Sequence, residues 1–218
     1  MIQIFSPNML KTYEKCPKKF YFRYIEGVNV PLSFLPFEKG KKIHALANYF
    51  LQEINISRIE TALTEEEKAI WISLLNNPFY RKKCLKSEFS ISTKIGDFWV
   101  GGRLDAVVHD EDNYYILDYK TGSTPKNPEF DFQTMVYLLC MDKYLKKYDK
   151  LSFVYINLKD KNNYVIDFNE KLKQEYENRL LKICTAITSD SWYQRNSNSC
   201  VRCEYEKICI RFPEPNLY

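Results

Sequence analysis

Apolar residues in the first 80 positions recur every three to four residues, a spacing that is typical of helices with one buried face. Ser6 followed by Pro7 indicates a helix start, because the Ser side chain can cap the first amide groups and Pro has no amide that needs a partner. We predict a first helix from there to about Tyr24, ending before Gly27. Two prolines within residues 28–37 predict a loop.

A second helix is predicted from Glu38 to about Ile54, because its apolar residues share one face: Ile43, Leu46, Ala47, Phe50 and Leu51. Thr64, with Glu67 three residues later, has the pattern of a capping box, in which each residue's side chain binds the other's amide. It predicts a third helix that runs to about Asn76.

The pattern changes after residue 86, where β-branched and aromatic residues predict strands separated by turn-forming residues. The first three strands follow one another closely enough to form an antiparallel meander. A helical spacing of apolar residues then returns, followed by two more strands and a last helix. The predicted strands are 87–93, 98–109, 114–120, 151–158 and 164–168, and the predicted helices are 129–148 and 169–187.

This order of elements predicts the α/β or α+β class with a small sheet. We expect a single domain in three parts: a helical part at 1–80, a core at 86–189 and an irregular, cysteine-rich part at 190–218. With 45% hydrophobic residues the chain can bury a core, and most of its aromatic residues should lie there.

The net charge of +4 is only a weak indication of nucleic-acid binding. The cations are concentrated in residues 11–24, where they alternate with aromatic residues: Lys11, Lys15, Lys18, Lys19 and Arg23. This segment is either a solvated helix face or a DNA-binding surface. Residues 1–10 do not resemble a signal peptide, and apolar runs are shorter than the roughly 20 residues of a membrane span, so we expect a cytoplasmic protein.

Two acidic residues and a lysine form the strongest candidate site. Asp118 and Lys120 are two apart on a predicted strand and therefore share a face, and Asp105 can reach them if the neighbouring strand pairs. Two carboxylates suit Mg²⁺ or Mn²⁺, which can activate water and neutralise a phosphate, while the lysine can orient the water or stabilise the transition state. An ordinary Asp–Lys pair on a sheet surface is the alternative.

Five motifs, which follow one another along the chain in the order found in the family, resemble the PD-(D/E)XK nuclease superfamily, and more narrowly its RecB-like branch. GGRLD (101–105) and ILDYKTG (116–122) match the two acidic strands. GKKIH (40–44) matches the upstream helix, and QTMVY (133–137) matches the Q-x-x-x-Y helix. SPNMLKTYEKCPKKFYFRY (6–24) matches the N-terminal helix, in which Cys-Pro precedes a basic-aromatic run.

The resemblance implies a restriction-endonuclease-like α/β core, in which a mixed central sheet is flanked by helices. Its metal ligands would be His44, Asp105, Asp118 and the backbone carbonyl of Tyr119. Lys120, Gln133 and Tyr137 would join the catalytic site, and Tyr137 and the cations of residues 11–24 would contact DNA.

Three cysteines near the end form a C-x-x-C-x₅-C pattern, which can bind one metal centre: Cys200, Cys203 and Cys209. Cys16 is the candidate for the fourth ligand. One N-terminal and three C-terminal cysteines resemble the iron–sulfur branch of these nucleases, so the resemblance implies a [4Fe–4S] cluster that joins the chain ends. Zn²⁺ is the alternative. Cys140 and Cys184 lie in apolar helical stretches and should be core residues, and Cys84 has no assigned role.

The sequence thus predicts a Mg²⁺- or Mn²⁺-dependent deoxyribonuclease, with exonuclease action on single-stranded DNA ends favoured. It would act in repair, recombination, replication or CRISPR adaptation. A DNA-binding or assembly subunit that acts mainly through a partner is the alternative. The chain contains no G-x-x-x-x-G-K-[ST] motif, so a helicase partner would be a separate protein, as would a CRISPR integrase.

Overall fold

The computed structural model describes residues 2–30, 35–196, 198, 200 and 203–209, without the side chains of residues 35–39. These residues form a mixed sheet with its five strands in chain order. The strands β3 and β4 are parallel, and the other neighbours are antiparallel. The strands are β1 (Lys83–Ile95), β2 (Phe98–Asp110), β3 (Asn113–Lys120), β4 (Lys150–Asn157) and β5 (Asn162–Asp167).

Helices cover both faces of this sheet. A helix between β3 and β4 provides the crossover that a parallel pair requires. The helices are α1 (Pro7–Lys15), α2 (Pro17–Phe20), α3 (Leu35–Leu51), α4 (Ser57–Thr61), α5 (Glu65–Leu75), α6 (Phe132–Leu145), α7 (Glu170–Ser189) and α8 (Glu206–Cys209). The predicted meander and the α/β class with a mixed central sheet are confirmed.

The core has two parts, one on each face of the sheet. Buried residues of α1, α6 and α7 pack on one face, and those of α3 and α5 pack on the other. Strand β4 is buried along nearly its whole length because it is covered on both faces. Cys140 and Cys184 are buried core residues, as predicted. Within the described ranges, every helix is too short or too polar to cross a lipid bilayer.

The predicted single helix from Ser6 to Tyr24 is wrong, because the helix breaks at Cys16. Cys16 is extended, with φ −164° and ψ 107°, and separates α1 from α2. Pro17 explains the break, since the ring of a proline disfavours helical geometry at the residue before it. A π-helical turn at Tyr21–Ile25 follows α2. The break leaves Cys16 buried at the junction.

Several predicted boundaries also need correction. Helix α3 begins at Leu35, inside the predicted loop, and ends at Leu51, before Ile54. Residues 31–34 of that loop lie outside the described residues. The short helices α4 and α8 were not predicted, and α8 lies in the part expected to be irregular. Strand β1 is longer than predicted at both ends, and β5 starts and ends earlier.

Candidate active site

Strands β2 and β3 bring the two predicted acidic residues, Asp105 and Asp118, close together. The antiparallel pairing ends at Ala106 and Leu117, and the two acids are the next residues beyond this pair. Leu104 packs under α6 and α7, whereas Ala106 packs under α3 and α5. Residues two apart in a regular strand share a face, so β2 is irregular at Asp105. The amide of Tyr119 donates a hydrogen bond to Asp105 Oδ2 at 3.0 Å and fixes this carboxylate beside β3.

Lys120, Asp118 and Gln133 form a closed set of polar contacts. Lys120 Nζ lies 2.7 Å from Asp118 Oδ2 and donates to Gln133 Oε1 at 3.0 Å. Gln133 Nε2 donates to Asp118 Oδ1 at 3.1 Å. Gln133 is in the first turn of α6, where the side chain of Asp131 caps the helix by accepting from the Gln133 amide. The start of α6 therefore determines where the lysine and carboxylate of β3 are held.

His44 joins the site from α3, on the opposite face of the sheet. Its Nδ1 lies 3.2 Å from Asp105 Oδ1, and its Nε2 lies 2.9 Å from the carbonyl oxygen of Tyr119. Burial disfavours the charged ring, but the hydrogen bond and charge of Asp105, with the charge of Asp118, outweigh it and raise the pKa of His44. The structure thus brings together the predicted ligands His44, Asp105 and the Tyr119 carbonyl.

The electrostatics of Asp118 test whether a divalent cation fits here. Asp118 is only 5% exposed. Its burial and the negative charge of Asp105 raise its pKa, against the opposing effect of Lys120. A cation beside the two carboxylates would relieve this repulsion, and oxygen ligands with one imidazole suit Mn²⁺ or Mg²⁺. The donor set therefore fits the ion.

Glu88 is a third carboxylate at this site, and it was not among the predicted site residues. His44, Glu88 and Asp105 each offer a ligand atom, and these atoms lie within 4.8 Å of one another. Glu88 Oε2 also lies 2.8 Å from Arg103 Nε. The sequence does indicate the position of Glu88, because a tight turn at 96–97 pairs Ile95 with Phe98. Counting back along the hairpin then places Glu88 opposite Asp105.

Tyr137 lies at the base of the same cleft and is 6% exposed. Its hydroxyl donates to the carbonyl oxygen of Arg103 at 3.0 Å. Gly102 allows this contact, because a Cβ atom there would lie 2.7 Å from the tyrosine oxygen. The structure therefore shows Tyr137 supporting the strand that carries Asp105, and its predicted contact with DNA stays a prediction.

The site opens into a cleft of about 900 Å³ between α3, the start of α1 and the β1–β2 hairpin. Its lining includes the polar residues Asn8, Lys41, Asn48 and Thr121. The scissile bond of a nucleic-acid strand could therefore approach Asp105 from this side.

The cations predicted to contact DNA have different surroundings. Lys11 pairs with Asp131 at 2.8 Å, which places it next to the cap of α6. Lys19 pairs with Glu204 at 2.7 Å. Lys18 and Arg23 lie over aromatic rings, and Lys15 also has an interaction partner. Their contact with DNA stays a prediction.

The four predicted cluster ligands line one pocket beside the α1–α2 break: Cys16, Cys200, Cys203 and Cys209. The amide of Asn196 donates to Cys16 Sγ at 3.5 Å and brings the C-terminal segment to this point. Burial raises the pKa of Cys209, and the other three cysteines raise it further, against the effect of Arg195. The structure therefore brings all four cysteines to the same pocket.

Comparisons with known proteins agree with this geometry. The family model of the PD-(D/E)XK nuclease superfamily matches residues 4–82 and 71–210. A curated relative, the CRISPR-associated exonuclease Cas4 of Francisella tularensis subsp. novicida (strain U112), is 30% identical over 210 residues. The match covers 93% of this chain and 91% of that protein.

A solved structure has the same fold. It is a protein from Eubacterium rectale described as a candidate exonuclease, with a TM-score of 0.60 and 10% identity. The alignment covers 98% of this chain and 90% of that one. At this identity the likeness concerns the fold alone.

Proposed function

This chain is a nuclease of the PD-(D/E)XK superfamily, and from that premise we propose that it is a Mg²⁺- or Mn²⁺-dependent deoxyribonuclease that acts on single-stranded DNA ends. One observation carries the proposal. His44, Asp105 and the Tyr119 carbonyl meet at one point, with Asp118 and Lys120 on either side of Tyr119 in β3. This arrangement combines ligands for a hard cation with an ammonium group, a combination that suits hydrolysis of a phosphodiester.

His44, Asp105, Asp118 and the Tyr119 carbonyl would hold the ion. When bound, the ion neutralises negative charge on the phosphate and makes a nearby water more acidic. Asp105 is fixed for this task by the Tyr119 amide, and His44 is held between Asp105 and the Tyr119 carbonyl. The ligands are therefore preorganised by contacts between α3, β2 and β3.

Lys120 would supply a second positive charge to the reacting phosphate. Asp118 and Gln133 hold its ammonium group at 2.7 and 3.0 Å, so little reorganisation is needed during the reaction. From this position the ammonium can donate a hydrogen bond to the attacking water or to a phosphate oxygen. Gln133 acts as a positioning residue, because it binds both charged partners.

The preference for DNA ends rests on the exonuclease relative and on the open cleft. The test uses single- and double-stranded DNA labelled at either end, with Mg²⁺ or Mn²⁺. We expect Asp105→Asn to lose cleavage, while Asp97→Asn, a matched change in the exposed β1–β2 turn, cleaves like the wild type. Cleavage by Asp105→Asn at the wild-type rate would refute this site. Release of internal fragments by the wild type would show endonuclease action instead of exonuclease action.

We also propose a [4Fe–4S] cluster held by the four cysteines of the pocket, since the [4Fe–4S] form uses four thiolates. It would join α1 and α2 to the C-terminal segment. Protein purified without oxygen should absorb near 400 nm and contain iron and sulfide. Cys203→Ser should lose both, and Cys84→Ser, outside the pocket, should keep them. Zinc without iron in the purified protein would establish the alternative.

The partner proposal follows from the relative, which is named as CRISPR-associated. We propose a role beside a CRISPR integrase in the cytoplasm, with repair, recombination and replication beside a helicase as the alternatives. Cleavage by the isolated protein, compared with cleavage in the presence of each partner, would separate an independent nuclease from a subunit that works through others.

A further inference from the structure

We propose that Glu88 is an additional ligand of the divalent cation. Binding of the ion to Glu88 would release Arg103, and Arg103 would then bind a DNA phosphate. The inference rests on the proposed function, because it concerns the same cation site. It adds one carboxylate to the ligand set and one cation to the DNA-binding surface.

The strand geometry brings Glu88 to the site. Ser87 pairs with Ala106 and Phe89 pairs with Leu104, so Glu88 stands across the ladder from Asp105. Both strands are irregular at this point. Glu88 has φ +46°, which is uncommon for a residue with a side chain, and β2 changes face at Asp105. Such irregularities in a ladder redirect side chains.

The ligand chemistry of the group fits one ion. An imidazole nitrogen and two carboxylate oxygens lie within 4.8 Å of one another, on residues from α3, β1 and β2: His44, Glu88 and Asp105. Three elements thus converge on one point, and β3 contributes the Tyr119 carbonyl that contacts His44. Glu88 is half-buried, with 25% of its side chain exposed, so its carboxylate faces the cleft without being fully hydrated.

Arg103 is the group that an ion would displace. Its Nε lies 2.8 Å from Glu88 Oε2, while 67% of its side chain is exposed at the cleft. A divalent cation and a guanidinium compete for the same carboxylate charge. Once released, the guanidinium remains at the cleft and can donate two hydrogen bonds to one phosphate group. Binding of the ion would then strengthen binding of the DNA strand.

The first test measures Mn²⁺ binding to the full chain by the electron paramagnetic resonance signal of free Mn²⁺, in the absence of DNA. We expect Glu88→Gln to bind Mn²⁺ about tenfold more weakly or worse, as loss of a ligand or of its support does in other sites. Arg103→Ala should bind Mn²⁺ more tightly than the wild type, because the competing cation is gone. The matched control is Glu14→Gln, which removes the carboxylate of another Glu–Arg pair, that with Arg179.

Two further results distinguish a failure of this inference from a failure of the proposed function. If Asp105→Asn weakens Mn²⁺ binding but folded Glu88→Gln binds like the wild type, Glu88 is only the partner of Arg103 and the inference is wrong. If the wild type and Asp105→Asn bind Mn²⁺ equally, the cation site of the proposed function fails, and the inference fails with it. Circular dichroism spectra and thermal unfolding of each variant establish that it is folded.

The second test measures binding of a fluorescent oligothymidine in the Lys120→Ala background, which should not cut it. We expect added Mn²⁺ to increase DNA affinity, and Arg103→Ala to remove most of this increase while changing affinity little in EDTA. Arg179→Ala, which removes the arginine paired with Glu14, should keep the increase. Equal losses for Arg103→Ala with and without Mn²⁺ would contradict the exchange of Arg103 between Glu88 and phosphate.

Discussion

Replacing Gln133 with Ala tests how Lys120, the lysine that we propose as catalytic, is positioned. Gln133 accepts from Lys120 Nζ at 3.0 Å and donates to Asp118 Oδ1 at 3.1 Å. The change removes both bonds but leaves the Lys120–Asp118 contact at 2.7 Å. The ammonium should therefore remain in the site with a less restricted position.

The magnitude follows from the bonds that are lost. A hydrogen bond to a charged group contributes about 1.5–3 kcal/mol. If one such bond is needed only to hold Lys120 in its reactive position, its loss lowers kcat roughly 10- to 100-fold, at about 1.4 kcal/mol per factor of ten. Substrate binding should change less, because Gln133→Ala leaves the positive charge of Lys120 in the site.

The assay is the initial rate of nucleotide release from end-labelled single-stranded DNA over a range of DNA concentrations. We expect a lower kcat with a nearly unchanged KM for Gln133→Ala. Gln174→Ala is the control, since Gln174 is an exposed residue of α7 outside this network. A wild-type kcat in folded Gln133→Ala would refute the positioning role of Gln133.

Two further changes test the support of the site and the stability of the helices separately. Gly102→Ala would place a methyl group 2.7 Å from the hydroxyl of Tyr137, so we expect that hydroxyl to leave the Arg103 carbonyl and the cleavage rate to fall about tenfold or more. Tyr137→Phe in the same background should restore part of the rate, and an unaffected Gly102→Ala enzyme would contradict this. Thr64→Ala removes the capping box of α5 and should destabilise the protein by about 1 kcal/mol. Its Tm should fall by roughly 2–4 °C with cleavage unchanged, whereas a wild-type Tm would show that the cap contributes nothing.

The hairpin geometry could be predicted from the sequence because it is local. The turn at 96–97 and the alternating strands specify the β1–β2 register, and the two acidic strands follow from the same reasoning. The position of Glu88 opposite Asp105 could be predicted in the same way, by counting residues back along both strands from the turn. Glu88 belongs to none of the five motifs, so the motifs alone do not indicate it.

Contacts between distant elements could not be read in this way. His44 is 75 residues from Tyr119, and nothing local indicates that its Nε2 faces that carbonyl. Only the packing of α3 on the sheet determines it. The helix break at Cys16 was predictable in principle, because Pro17 disfavours a helical residue before it, but the apolar periodicity continued across the break and concealed it.

The most direct test of the central claim is the rate at which Lys120→Ala releases nucleotides from end-labelled single-stranded DNA in Mn²⁺. Lys182→Ala, which changes an exposed lysine on α7, is the matched control. The account predicts wild-type activity for Lys182→Ala, and no release above the EDTA background for a folded Lys120→Ala protein. Cleavage by Lys120→Ala at the wild-type rate would contradict the assignment of this site.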